Sequence, residues 1–287
     1  MTKKTYRFGL LGHPVKHSLS PLMHSASFRA LGIEAEYLCF DVPPESLAER
    51  LAACRREKFD GLNLTVPLKE AALPLMDRLD PSAHLFGAVN TVRFGPHGLT
   101  GFNTDAEGFL ADLSLSCHMT PLGRRVLILG CGGAGRALAI ACVKHGAAEV
   151  LLADQMTEKV ERLAADIGRL LPDAAAQVEV LPADAGVWKQ MCPGVDVVVQ
   201  CTPVGLREGD APVLPPEAFR PGQLLYDIIY TSRVTPTMRA AQASGADTMN
   251  GAGMLVYQGA AAFTLWTGLT ADAAAMRAAL EAHIYGS

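Results

Sequence analysis

Five short stretches and one further acid carry side chains whose types and spacing could do chemistry. "GCGGAG", Gly130 to Gly135, fits a G-x-G-x-x-G spacing through Gly130, Gly132 and Gly135. It follows the apolar run "RVLIL" and opens a helical pattern. Small residues there let backbone N–H groups approach a pyrophosphate at a helix N-terminus. Asp154 ends the next apolar run, 19 residues beyond Gly135, where a carboxylate can accept from the adenosine ribose hydroxyls. The plainer reading is a glycine-rich turn followed by a strand-end acid. "HSLSP" places the Ser18 and Ser20 hydroxyls at a strand-to-helix junction, where they could hold a carboxylate; equally, Ser20 could only cap the helix ahead of Pro21. "NLTVPLK" brings Asn63, Thr65 and Lys69 to a strand end, with a solvated first-turn lysine as the alternative. "AVNT" offers Asn90 as a site amide or a turn amide. "GFNTD" offers Asp105 as a substrate-holding carboxylate or an N-cap.

The elements around these stretches alternate. "YRFGLLG", "AEYLCFDV" and "FDGLNLTV" read as strands, separated by the helical patterns "SPLMHSASFRALG" and "PESLAERLAACRREK". That order predicts an α/β fold with parallel strands. "AVNTVRFGPHGLTGFNTD" predicts a hairpin turning at "GPHG", followed by a helix from Asp105 to about Ser116. After a Pro- and Gly-containing linker at residues 118–125, a second strand–helix series begins. The prediction is an N-terminal α/β catalytic domain formed by residues 1–107 and 251–287. A Rossmann-like dinucleotide-binding domain at 108–250 completes it.

Composition removes several classes. The 287 residues are 49% hydrophobic and carry a net charge of -4, with no basic or aromatic-basic stripe to suggest nucleic acid. The seven cysteines form no CxxC pair and no metal-ligand spacing, so no metal is expected and a reducing, cytoplasmic setting is. The apolar run near the N-terminus is too short for a signal peptide. Residues 248–271 carry no charge and are long enough to span a bilayer, yet Asn250, Gln258 and four glycines argue for a buried helix and no membrane. No feature sets an oligomeric state.

Taken together and in order, "HSLSP", "NLTVPLK", "GAVNT", "GFNTD", "GCGGAG" and "NGAGMLVYQGAAAF" resemble the shikimate dehydrogenases and the related quinate/shikimate dehydrogenases. The resemblance spans nearly the whole chain. It implies a cleft between the two domains, reversible oxidation of shikimate to 3-dehydroshikimate, and some activity on quinate. It implies that Ser18 and Ser20 hold the substrate carboxylate. Thr65, Lys69, Asn90, Asp105 and Gln258 would line the rest of the substrate, with Tyr230 nearby. Lys69 and Asp105 would be the catalytic pair. Gly130, Cys131, Gly132, Gly133 and Ala134 would meet the pyrophosphate, and Thr202, Ile228 and Gly251 would line the cofactor site. A second serine in "HSLSP" points to shikimate ahead of quinate. A binding protein without turnover is the alternative class; it has no need of both Lys69 and Asp105.

Two stretches depart from the family pattern. "CTPVG" replaces a more usual Ala-Thr stretch. NADP-using members commonly carry an Asn-Arg-Thr-like run after the second strand, where this chain has Asp154, Gln155 and Met156. A carboxylate there accepts from the 2′-hydroxyl of NAD and repels a 2′-phosphate, so the expected cofactor is NAD, with NADP the alternative.

Overall fold

The computed structural model describes residues 5–207 and 209–286, which divide into two compact units. One holds Met1–Gly108 and Leu255–Ser287, and the other Phe109–Met254.

The first unit is built on a mixed sheet. Its strands are β1 (Tyr6–Gly12), β2 (Ala35–Asp41), β3 (Gly61–Leu64), β4 (Arg78–Leu79), β5 (Thr91–Gly95) and β6 (Gly98–Phe102), in the spatial order β2-β1-β3-β5-β6-β4. β1 runs parallel to β2 and β3, while β5 is antiparallel to β3 and to β6. The β5–β6 hairpin turns at Pro96-His97 between paired Gly95 and Gly98. Helices α1 (Ser20–Ala30), α2 (Leu47–Arg56), α3 (Leu68–Ala71) and α4 (Pro81–Phe86) connect these strands.

This topology gathers the chemistry at one sheet edge. Chain leaving the carboxyl ends of β1 and β3 carries Ser18 and Thr65. Because β5 runs antiparallel to β3, its start lies at the same edge, and β6 ends there too. Backbone bonds tie the edge together: Leu64 N–H donates to the Asn90 carbonyl and Asn90 N–H to the Phe102 carbonyl, at 2.8 and 3.0 Å.

Helix α5 (Asp105–Cys117) carries the chain into the second unit. Six parallel strands follow: β7 (Arg125–Leu129), β8 (Glu149–Ala153), β9 (Val178–Val180), β10 (Val197–Gln200), β11 (Leu224–Asp227) and β12 (Asp247–Asn250). Their order, β12-β11-β10-β7-β8-β9, is the doubly wound 3-2-1-4-5-6 arrangement of a Rossmann sheet. Helices α6 (Gly133–Lys144), α7 (Thr157–Leu170), α8 (Ala185–Met191) and α9 (Pro236–Ala243) intervene. β7 and β10 are apolar along most of their length and buried, as strands covered on both faces must be.

Helices α10 (Ala252–Thr267) and α11 (Ala273–Tyr285) lead back into the first unit. The uncharged stretch 248–271 is thus most of a short strand and one 16-residue helix. Val256, Phe263 and Trp266 of α10 join Phe8, Met23 and Phe28 in one buried cluster. A helix buried on most of its surface reads as apolar throughout. No helix among the described residues is long and apolar enough to cross a membrane.

Candidate active site

Lys69 and Asp105 meet at the sheet edge of the first unit. Lys69 Nζ lies 2.6 Å from Asp105 Oδ2, with 20% of the lysine side chain and 9% of the aspartate's exposed. Both come from first helical turns, α3 after β3 and α5 after β6, so the sheet rather than local sequence brings them together. Asp105 is not the cap of α5: its own N–H donates to Asn103 Oδ1 at 3.1 Å, which leaves its carboxylate for the site.

Asn90 holds the other carboxylate oxygen. Its Nδ2 donates to Asp105 Oδ1 at 2.8 Å and to Thr104 Oγ1 at 3.0 Å, and lies 3.4 Å from Gln258 Oε1 on α10. Gln258 Nε2 is engaged by the Leu255 carbonyl at 2.9 Å. Thr65 is half-buried, one residue beyond β3, where its N–H donates to the Leu11 carbonyl.

Ser20 is the first residue of α1 and does not cap it. The cap position is Leu19, without a side-chain bond. Ser18 Oγ instead accepts the Ser20 N–H at 3.3 Å and donates to Ser20 Oγ at 3.2 Å. The two hydroxyls form a pair, which sets aside the capping alternative. Tyr230 lies in the second unit, three residues beyond β11. Burial pushes its phenol upward. Asp227 ties down its segment by accepting from Ile229 N–H at 3.0 Å and from the Thr235 hydroxyl at 2.6 Å. Burial raises the Asp227 carboxyl to about 6.

The cofactor half is made of backbone. Gly130 turns at φ +97°, a conformation that favours glycine. A Cβ on Gly135 would stand 1.8 Å from the Gly130 carbonyl oxygen, so only glycine lets α6 pack this close to β7. Nothing lies within 4 Å of where a Cβ would sit on Gly132 or Gly133. Open backbone at the N-terminus of a 12-residue helix fits a pyrophosphate. Cys131 and Ala134 complete this turn. Thr202 follows β10, its N–H held by the Gln200 side chain; Ile228 follows β11, and Gly251 follows β12. All sit at the carboxyl ends of parallel strands, where ligands of open α/β sheets bind.

Asp154 also sits at such an end, but its carboxylate is engaged. Oδ2 accepts the Cys131 N–H at 2.8 Å and Oδ1 the Met156 N–H at 2.9 Å. It braces the glycine turn against the β8–α7 connection.

A Rossmann unit with an intact glycine fingerprint, joined in one chain to a unit with a buried lysine–carboxylate pair, defines the two-unit α/β dehydrogenases. Comparison with known proteins narrows this. The shikimate dehydrogenase substrate binding domain matches residues 10–92, the shikimate 5'-dehydrogenase C-terminal domain residues 251–281, and the saccharopine dehydrogenase NADP binding domain residues 126–207. The shikimate dehydrogenase (NADP(+)) of Moorella thermoacetica is 45% identical over 270 residues, covering 93% of this chain and 90% of its own. That of Methanopyrus kandleri is 40% identical over 278 residues, covering 96% and 95%. The crystal structure of shikimate 5-dehydrogenase from Thermus thermophilus with NADP(H) and shikimate superposes with a TM-score of 0.85 at 39% identity, covering 96% and 98%. The chain belongs to the shikimate dehydrogenase family and is an oxidoreductase.

These findings correct the expectation of NAD. The curated relatives are named for NADP(+), and the matching nucleotide-domain family is an NADP binding domain. Asp154 at a strand end reads as a ribose acceptor, but its place there is already accounted for by the fold, since each of its oxygens accepts a backbone amide. Sequence reasoning also passed over Tyr37 and Thr91, which lie behind Asn90. The available signal was a tyrosine inside the apolar run of β2, because a buried phenol needs a partner.

Proposed function

We propose that this protein interconverts shikimate and 3-dehydroshikimate with NADP as its cofactor. The observation that carries the reading is the Lys69–Asp105 pair, 2.6 Å apart and mostly buried, with the Asn90 amide on the second carboxylate oxygen. A lysine ammonium is a donor with a proton to give, and Asp105 fixes its position. In ketone reduction the Lys69 ammonium gives its proton to the developing alkoxide. In oxidation Lys69 takes the hydroxyl proton after its ammonium has first released a proton to solvent, with Asp105 keeping it oriented. When bound, the cofactor would take up the hydride in oxidation and, in its reduced form, return it in ketone reduction.

The paired Ser18 and Ser20 hydroxyls suit the substrate carboxylate. Thr65, Asn90, Asp105 and Gln258 suit its ring hydroxyls. The Gly130–Ala134 backbone takes the pyrophosphate, and Thr202, Ile228 and Gly251 line the remaining cofactor surface. Lys159, exposed in the first turn of α7, is a candidate cation for the 2′-phosphate. Seven unpaired thiols support a cytoplasmic setting.

Steady-state rates test this. Shikimate and quinate are each assayed with NADP and with NAD. Shikimate with NADP gives the highest kcat/KM. A higher value for quinate overturns the substrate, and a higher value for NAD overturns the cofactor.

A further inference from the structure

A buried run of side chains lies behind the Lys69–Asp105 pair, and each of its links has a fixed donor direction. It begins at Tyr37 in β2, which is 8% exposed. Burial raises this phenol well above its usual range, so it keeps its proton. Tyr37 donates to Asn63 Oδ1 at 2.8 Å. The Asn90 carbonyl can only accept, so Asn63 Nδ2 faces it at 3.2 Å and Thr91 Oγ1 at 3.1 Å, which leaves Oδ1 for the Tyr37 hydroxyl. The Thr91 hydroxyl has a single proton. It lies 2.9 Å from Asn90 Oδ1 and 3.4 Å from Thr104 Oγ1, so the shorter contact to Asn90 takes it.

Asn90 Oδ1 also accepts the Thr104 backbone N–H at 2.8 Å, from a group that can only donate. The opposite amide orientation would set Asn90 Nδ2 against that N–H, donor against donor. These donors on Oδ1, with the Thr104 hydroxyl a longer third at 3.3 Å, leave Nδ2 facing Asp105 Oδ1 at 2.8 Å. The run ends where Asp105 Oδ2 meets Lys69 Nζ. Chains of hydrogen bonds in a low-dielectric interior polarise one another, so removal of one link is felt at the end.

We propose that Tyr37, Asn63 and Thr91 are positioning residues for the reaction: the one-way run of hydrogen bonds through them locks the Asn90 amide onto Asp105 and so holds the carboxylate against Lys69. The proposal rests on the reading of Lys69 and Asp105 as the reacting pair. None of the three touches that pair. Thr91, fully buried, is the central link.

The test uses Thr91→Val, which keeps the shape and removes the hydroxyl, and Thr91→Ser, which returns it. Thr91→Val lowers kcat for shikimate at least fivefold with a smaller change in KM, and Thr91→Ser recovers to within twofold of wild type. A second readout needs no turnover. The chain has four asparagines, Asn63, Asn90, Asn103 and Asn250. Asparagine-selective 15N labelling therefore gives four side-chain amide pairs, with Asn90 assigned by its loss in Asn90→Ala. In the wild type the Asn90 pair shows a downfield proton bonded to a carboxylate. That proton moves upfield in Thr91→Val and returns in Thr91→Ser. Wild-type kcat and an unmoved Asn90 pair in Thr91→Val overturn the proposal. Equal impairment of the valine and serine variants also overturns it, since packing would then be the cause. If Thr91→Val does not fold, Tyr37→Phe removes one oxygen from the far end and carries the same two readouts. A folded wild type that leaves shikimate untouched defeats the functional reading, while the amide spectra still decide the positioning run.

Discussion

The two units meet their ligands with different materials. In the first unit the site is built from side chains held by side chains: Lys69 by Asp105, Asp105 by Asn90, and Asn90 by Thr91 and Thr104. In the second unit it is built from backbone, with a turn at Gly130, open space at Gly132 and Gly133, and a close approach at Gly135. The materials suit the tasks. A small polyhydroxylated acid is distinguished by where each donor and acceptor stands, which needs convergent side chains. A pyrophosphate needs several N–H groups around one charge, and helix-terminal backbone supplies them without side-chain specificity. Loss of one side chain in the first unit should therefore damage rate or substrate affinity, whereas an added methyl in the second should damage cofactor affinity.

The largest effect expected is at the carboxylate of the pair. Asp105→Asn lowers kcat by ~10²–10⁴-fold, the usual worth of general acid–base catalysis. Combined with Lys69→Ala, the loss falls well short of the product of the single losses, because the two act as a unit. Steady-state kinetics of the four proteins checks this, and multiplicative losses would separate the two roles.

The glycine turn gives a paired test. In Gly135→Ala the new methyl meets the Gly130 carbonyl at 1.8 Å, so stability falls by ~1–3 kcal/mol, as overpacking does. Gly132→Ala meets no protein atom and leaves the melting curve in place, yet raises the Kd for NADP. Denaturation and cofactor titration of both variants separate fold from ligand. An unchanged Kd in Gly132→Ala would remove that backbone from the site.

Stability against pH provides a further contrast. His24 is fully buried, and burial lowers its pKa from 6.5 to about 3 against a smaller opposing effect of the Asn63 side chain. The folded state must keep it neutral, while the unfolded chain takes up a proton below 6.5. This stability is present above pH 6.5 and is lost as pH falls toward 3. The loss is about 2 kcal/mol between pH 6.5 and 5. His24→Leu flattens this acid limb in denaturation curves, and an unaltered limb would assign the loss to other groups.

The smallest effect is expected at Ser18 and Ser20. Alanine at both raises KM for shikimate while the Kd for NADP stays near normal. The helix-terminal bond that these side chains make is the long one from Ser20 N–H to Ser18 Oγ at 3.3 Å, so stability changes by less than about 1 kcal/mol. A marked drop in stability with unchanged KM would return Ser20 to a structural role.

Much of the fold was legible in the chain itself, and more of it in the second unit than in the first. The glycine fingerprint belongs to one strand–turn–helix and needs no distant partner. The "GPHG" hairpin was readable for the same reason. Lys69 was different: alone it reads as a solvated first-turn lysine, and only β3, β5 and β6 bring Asp105 to it from 36 residues away. Asp154 shows the opposite hazard. Its place at a strand end was legible, but the amides of Cys131 and Met156 that engage it are set by tertiary geometry, and the cofactor inference drawn from it was wrong. Ser20 is a milder case, because Pro21 allowed a cap reading whereas the cap position falls one residue earlier, at Leu19. Position along an element could be read locally, whereas the partner of each polar group could not.

The most direct measurement of the account is NADPH formation from shikimate by the wild type and by Lys69→Ala at equal concentration, under conditions where chemistry limits the rate. The account predicts steady turnover by the wild type and a kcat at least ~100-fold lower in the variant, with KM changed far less. No NADPH from folded wild type, or a variant that keeps more than about a third of wild-type kcat, would contradict it.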